Sequence, residues 1–130
     1  MKQVVAALIL KQGKLLACQR TKHQVFPLKW EFPGGKIEAG EVPTEALTRE
    51  LEEELGIHAQ IGRQVARLRH TYRKGTSVDL IFFVVESFEG EIENRIFKDV
   101  RWVERSELPS YDFLDADRQL VHDIATGKLL

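Results

Sequence analysis

The sequence predicts an α/β fold in which a mixed β-sheet packs between two helices. Three observations predict it: short β-rich apolar runs at Val4–Leu10 and Val78–Val85, a strongly specified helix that stops at Gly56, and a second amphipathic stretch over Asp115–Ala125. Strands intermixed with helices bury both faces of the sheet they form. With 130 residues, 43% hydrophobic and 30% charged, the chain has the size and composition of one ordinary globular domain spanning residues 1–130.

Val4–Leu10 and Leu15–Arg20 flank Lys11-Gln12-Gly13-Lys14, the pattern of a hairpin. Thr21–Lys29 is polar and irregular, a candidate loop over a binding cleft. Trp30-Glu31-Phe32-Pro33-Gly34-Gly35-Lys36 sets a rigid proline before two glycines, which let backbone approach a ligand closely. The helix begins at Pro43, which suits the first turn, and Glu45 suits its positive end, while Val42 is a poor cap. Leu47, Leu51 and Leu55 form its buried stripe, and Gly56 is its left-handed stop. Ile57–Arg69 is strand-like with a break at Gly62, and Tyr72–Thr76 reads as a turn. Val78–Val85 is the most hydrophobic strand and is expected at the sheet centre. Ser87–Glu93 reads as an acidic connection, Val100–Val103 as a short strand, and Glu104–Leu108 as a helix start before Pro109. In Asp115–Ala125, Leu120, Val121 and Ile124 recur at helical spacing.

A formal net charge of −1 argues against a broad surface for nucleic acid polymers or anionic membranes. The apolar runs are far too short to span a bilayer. Met1-Lys2-Gln3 leads straight into a strand with no signal-peptide pattern, so a cytoplasmic protein is expected. Cys18, the single cysteine, lies among Leu15, Leu16 and Ala17 and reads as a buried, inert thiol.

The chemistry concentrates in Gly35–Ile57. Glu50, Glu53 and Glu54 fall at i, i+3 and i+4, within an arc of about 100° on one helix face. Like charges so placed weaken a helix by about 0.2–0.5 kcal/mol per pair, so stability alone does not select them. A hard divalent cation does, because Mg²⁺ and Mn²⁺ favour several anionic oxygen ligands together. Arg49 sits four residues from both Glu45 and Glu53, and Glu41 can also accept its guanidinium; beside a metal cluster, its expected role is to hold a carboxylate in place.

The segment resembles the signature box of the Nudix hydrolases: glycine, five residues, glutamate, seven residues, then arginine-glutamate-aliphatic-any-glutamate-glutamate-any-glycine-aliphatic. Gly35, Glu41, Arg49, Glu50, Leu51, Glu53, Glu54, Gly56 and Ile57 satisfy it without a mismatch. Trp30–Gly35 resembles the MutT-like branch in particular. The resemblance implies an α/β/α sandwich with a mixed sheet, and Mg²⁺-dependent (or Mn²⁺-dependent) hydrolysis of a nucleoside triphosphate to the monophosphate and pyrophosphate, a nucleotide-pool sanitation linked to DNA repair. It carries over Glu50, Glu53 and Glu54 as metal ligands with the Gly34 carbonyl, and Glu53, Glu50 and Arg49 as the catalytic set. Arg20, Glu31, Phe32, Pro33, Gly34 and Gly35 are the implied nucleotide contacts, with Asp117 at the position that reads the base edge. An acceptor-only carboxylate there favours bases presenting N–H donors, such as cytosine or oxidised guanine. Asp117 can equally serve as an N-cap of the last helix, as can Asp115.

One departure stands out. Many MutT-like enzymes place a glutamate, often followed by histidine, where this chain has Ile96 and Phe97. Neither can take a proton or bind a hard metal, so either a box glutamate such as Glu53, or a nearby acid such as Glu93 or Asp99, activates water. Other readings are a dinucleoside polyphosphate or nucleotide-sugar hydrolase, weakly suggested by Tyr72, and a catalytically silent nucleotide-binding module. The partner expected is a small-molecule nucleotide, and the protein a monomer or homodimer.

Overall fold

The computed structural model describes residues 1–73 and 75–130. In chain order its strands are β1 (Lys2–Lys11), β2 (Lys14–Gln19), β3 (Trp30–Glu31), β4 (Gly34–Lys36), β5 (His58–Gln60), β6 (Gln64–Thr71), β7 (Ser77–Val85), β8 (Ser87–Glu89) and β9 (Asp99–Glu104). Helix α1 (Pro43–Leu55) follows β4, and α2 (Arg118–Ala125) closes the fold.

The β1–β2 hairpin turns at Gln12 and Gly13, both at positive φ (52° and 79°), which matches the twist of a tight hairpin. Its strands pair only beside the turn, at Leu10↔Leu15 and Lys11↔Lys14, and then part. β1 goes on to pair antiparallel with β4 and parallel with β7. β2 pairs antiparallel with β3 and β9. β7 lies between β1 and β6, the central place expected from its hydrophobicity.

Alternation along the strands builds two cores. Val5, Ala7 and Ile9 of β1 and Ile81, Phe83 and Val85 of β7 pack with Leu47, Leu51 and Leu55 of α1. Their neighbours Ala6, Leu8, Leu80 and Phe82 pack on the opposite side with Leu120, Val121 and Ile124 of α2. A strand buried on both faces reads as a continuous apolar run, which is how β1 and β7 are written. The three α1 leucines are fully buried, each contributing about 1.5–3 kcal/mol. The expected mixed-sheet α/β sandwich is the observed fold. Cys18 is fully buried on β2, as expected, and burial pushes its thiol well up.

Several local expectations change. The segment Trp30–Lys36, with its proline before two glycines, contributes strands β3 and β4 on either side of Pro33. Ser87–Glu93 opens with β8, which pairs with β5. The helix start expected at Glu104–Leu108 is instead the last residue of β9 followed by a 3-10 turn, Arg105–Ser110, that includes Pro109. Asp115–Asp117 is likewise 3-10, so α2 starts at Arg118. The Val42 side chain offers no cap; the Glu45 carboxylate instead accepts the Val42 N–H at 3.0 Å. In the Tyr72–Thr76 turn the Tyr72 N–H donates to the Thr76 carbonyl at 2.8 Å, and Lys74 lies outside the described residues.

Candidate active site

A cleft of about 850 Å³ opens beside β1, β4 and the end of β6. Val4, Ala6, Phe32, Val78 and Leu80 give it an apolar wall, and Glu31, Glu54 and Asp117 put three carboxyl groups into it. Each carboxyl is raised above its ordinary range, and burial is the largest cause for all three. The Glu31 charge adds to the rise at both Glu54 and Asp117, so Glu31 communicates with both of the other acids.

α1 and β4 build the first part of the site. Glu54 is buried, and its carboxyl meets that of Glu50, which raises it further against a hydrogen bond from the Gly34 backbone. Among the described residues, Glu54 Oε1 is a buried side-chain oxygen without a hydrogen-bond partner. A Cβ on Gly35 would lie 2.4 Å from the Glu50 carboxyl carbon, and one on Gly34 would lie 1.9 Å from the Val5 carbonyl oxygen. The two glycines thus admit different neighbours, a carboxylate and a strand.

Arg49 ties this region together. Its Nε and Nη2 donate to Glu41 at 2.8 and 2.9 Å, Nη1 donates to Glu50 at 3.0 Å, and Nη2 also donates to the Lys36 carbonyl at 3.1 Å. The guanidinium holds the Glu41 carboxyl down to about 2. The expected orienting contact to Glu41 is therefore present, and it extends to Glu50.

The three box glutamates do not converge as the helix-face spacing suggests. Glu50 and Glu54 meet, whereas the Glu53 side chain is 58% exposed and its carboxylate accepts from Arg49 at 3.4 Å. Among the described residues no three acidic, histidine or cysteine side chains form a metal cage. What the geometry does offer is an oxygen-only pair with an unpartnered buried oxygen, a donor set that fits a hard divalent cation.

Arg20 is not an open cation for phosphate. Its Nε donates to the Val25 carbonyl at 2.8 Å and its Nη1 to both Glu31 carboxylate oxygens at 3.1 and 3.2 Å. It pins the 21–29 loop to β3. Glu31, Phe32, Gly34 and Gly35 line the cleft as expected, but Pro33 does not; its carbonyl accepts the Ala7 N–H at 2.8 Å.

Asp117 lines the cleft and is buried, although it immediately precedes α2. Its side chain makes no cap hydrogen bond, and Asp115 pairs with Arg118 instead of capping. Burial, reinforced by Glu31, pushes the Asp117 carboxyl up to about 8. Backbone bonds from Trp30 N–H to the Asp112 carbonyl and from Leu114 N–H to the Trp30 carbonyl bring this segment against β3.

Glu93 and Asp99, the stand-ins considered for the missing acid, do not line the cleft. Glu93 pairs with Arg95 at 2.9 Å and Asp99 with Arg101 at 2.8 Å. Ile96 and Phe97 face the cleft in their place. Sequence reasoning missed Phe26 as a cleft residue and gave Tyr72 no place in the site; the polar character of the loop was the one signal pointing to the former.

A family model for the NUDIX domain matches residues 1–124. The chain is 37% identical over 121 residues to an 8-oxo-dGTP diphosphatase of Haemophilus influenzae, covering 92% of this chain and 88% of that protein. It is 36% identical over 119 residues to a CTP pyrophosphohydrolase of Escherichia coli, covering 92% and 87%. Among solved structures, the Escherichia coli ORF135 protein superposes with a TM-score of 0.87 at 34% identity, covering 98% of this chain and 91% of that one. A MutT protein studied in Aliivibrio salmonicida and Vibrio cholerae gives 0.79 at 31% identity, covering 97% and 98%. The box residues, the cleft and these likenesses agree: the chain belongs to the Nudix family of hydrolases.

Proposed function

We propose that this chain hydrolyses nucleoside triphosphates to the monophosphate and pyrophosphate, with a cytosine or oxidised-guanine nucleotide as substrate, and so removes unwanted nucleotides from the pool. The observation that carries the reading is the shared cleft: one cavity joins Glu54, packed against Glu50, to the buried Asp117. Relatives named for 8-oxo-dGTP and CTP hydrolysis support the same substrate range.

Glu50 and Glu54, with the Gly34 carbonyl, would hold a divalent cation, Mg²⁺ or alternatively Mn²⁺. A cation held there would supply neutralisation of the charge that builds on the leaving pyrophosphate. Glu53, exposed to solvent, accepts the proton of the attacking water. The water oxygen forms the new P–O bond while the bridging P–O bond of the α–β anhydride breaks. Arg49 acts as a positioning residue by fixing Glu50 and Glu41. Asp117 receives an N–H of the base, and a donor arriving there favours its ionised form. A pool of free nucleotides places the reaction in the cytoplasm, carried out by a single domain of residues 1–130.

Incubation with CTP, dCTP, 5-methyl-dCTP, 8-oxo-dGTP and ATP in Mg²⁺ tests the reading. Pyrophosphate release is expected, fastest with a cytosine or oxidised-guanine substrate. Release of orthophosphate only, or turnover confined to dinucleoside polyphosphates or nucleotide sugars, would overturn it.

A further inference from the structure

Helix α1 ends against its own dipole. Its last turn, Glu52-Glu53-Glu54-Leu55, carries three carboxylates and no basic residue, at the end where the dipole favours cations. The last carbonyls of a helix also need partners from outside it. The connection between β8 and β9 supplies both. The Glu93 N–H donates to the Leu55 carbonyl at 2.8 Å, and the Arg95 N–H donates to the Glu54 carbonyl at 3.1 Å. The Arg95 guanidinium adds a bond from Nη1 to the Glu52 carbonyl at 3.0 Å. It lies over the left-handed Gly56 (φ 68°), where a Cβ would meet Nη2 at 2.8 Å.

The side chains of this connection fix its shape. Asn94 Nδ2 donates to the Phe97 carbonyl at 2.9 Å, and the Phe97 N–H donates back to Asn94 Oδ1 at 2.8 Å. Arg95 Nε and Nη2 donate to one Glu93 carboxylate oxygen at 3.1 and 2.9 Å, which sets the plane of the guanidinium. Phe97 is buried in the core that holds Leu51 and Leu55, and the Lys98 N–H donates to the Gln19 carbonyl at 2.9 Å. The turn is thus anchored to α1 on one side and to β2 on the other. Its bonds to α1 end on the helical turn that carries Glu54, whose carboxyl is buried beside Glu50. The Arg95 side chain is half-exposed, so its ion pair with Glu93 adds little to global stability.

We propose that Asn94 and Arg95 are positioning residues, which brace the last turn of α1 and so hold the Glu54 carboxyl in register with Glu50. This deepens the function proposed above and rests on its reading of that carboxylate pair as a cation site. Glu50 lies one turn earlier, where Arg49 fixes it at 3.0 Å. Glu54 depends on the terminal turn, and fraying there would move one ligand relative to the other. Charge alone predicts the opposite effect. Removing a positive group near a cation site lowers repulsion and tightens cation binding, whereas loss of the brace weakens it. The sign of the change separates the two.

Mn²⁺ binding to the full chain, followed by the electron paramagnetic resonance signal of free Mn²⁺, tests the brace without turnover. Arg95→Ala and Asn94→Ala should each weaken Mn²⁺ binding by about 10-fold. Arg95→Lys keeps the charge and a donor for the Glu52 carbonyl, and should bind within about threefold of wild type. Hydrogen exchange at the Gly56 amide, which is bonded to the Glu52 carbonyl at 3.0 Å, should quicken in the alanine variants. In a Glu54→Gln background, Arg95→Ala should cause no further loss, because the carboxylate it positions is gone. In turnover with CTP, the Mn²⁺ concentration for half activity should rise in step, with the nucleotide KM unchanged at saturating Mn²⁺. Mn²⁺ affinity that stays the same or tightens in both alanine variants would overturn the proposal, even if their melting temperatures fall. So would an equal further loss in the Glu54→Gln background. A chain whose Mn²⁺ affinity follows the brace yet which hydrolyses no triphosphate would refute the hydrolase reading and leave the brace intact.

Discussion

Gly35 leaves room for one particular group: a Cβ there would sit 2.4 Å from the carboxyl carbon of Glu50 and 2.6 Å from each of its oxygens. The neighbouring glycine meets backbone instead, with Val5 O at 1.9 Å and Ala6 Cα at 2.8 Å. A flexible carboxylate can move aside and a paired strand cannot. Gly35→Ala should therefore keep its melting temperature but lose at least about 10²-fold in kcat, because Glu50 is displaced. Gly34→Ala should lose about 1–3 kcal/mol or more of stability. Thermal melts and steady-state kinetics on the two variants would show whether the effects separate in this way.

The carboxylates themselves divide by environment. Glu53→Gln and Glu54→Gln should each lower kcat by about 10²-fold or more, or roughly 3 kcal/mol in barrier. Excess chelator should abolish turnover and restored Mg²⁺ should recover it. Folding should survive in the Glu54 variant, since the substitution relieves repulsion with Glu50. Full activity in chelator would contradict the role given to these residues.

Water activation by a box glutamate predicts that the acids outside the box matter little. Glu93→Gln and Asp99→Asn break ion pairs with Arg95 and Arg101 and should change kcat by less than about 10-fold. A general base contributes about 10²–10⁴-fold, so a loss of that size at either position would move the role there.

Asp117 sets a pH dependence whose sign follows from its raised pKa. The folded state holds its proton up to about pH 8, whereas the unfolded chain releases it near the ordinary value of 3.8. Between those values the native state binds more protons, so stability falls as pH rises, by up to about 1.4 kcal/mol per pH unit from this group. Asp117→Asn should remove that part of the slope and melt higher than wild type at pH 8. Equilibrium unfolding at pH 5, 6.5 and 8 measures it; parallel curves for the two proteins would contradict the raised pKa of the buried carboxyl.

The same substitution tests base reading. Asp117→Asn exchanges an acceptor for a donor and should shift the ratio of kcat/KM between cytosine and guanine triphosphates by about 1–3 kcal/mol. Asp117→Ala should weaken both substrates without the loss of about 1 kcal/mol that removing a helix cap brings, because no cap bond exists to lose. An unchanged ratio would remove Asp117 from recognition.

The sequence by itself determined those features that depend on near neighbours. Pro43, Glu45, the leucine spacing and Gly56 specify α1, and the apolar runs of β1 and β7 specify strands buried on both sides. The box spacing, at nine positions from Gly35 to Ile57, identified the family and the fold it implies. Periodicity gives the faces of a helix, and only the elements packed against it decide which side chains lose water. Tertiary structure therefore decided that Glu54 is buried against Glu50 while Glu53 faces solvent. It also decided that Arg20 is taken up by Glu31 and Val25, and that Asp117 sits in the cleft instead of capping α2. Those contacts join residues far apart in the chain, through β3 pairing with β2 and the Trp30 backbone bonds to Asp112 and Leu114, and their burial comes from that assembly rather than from any local pattern.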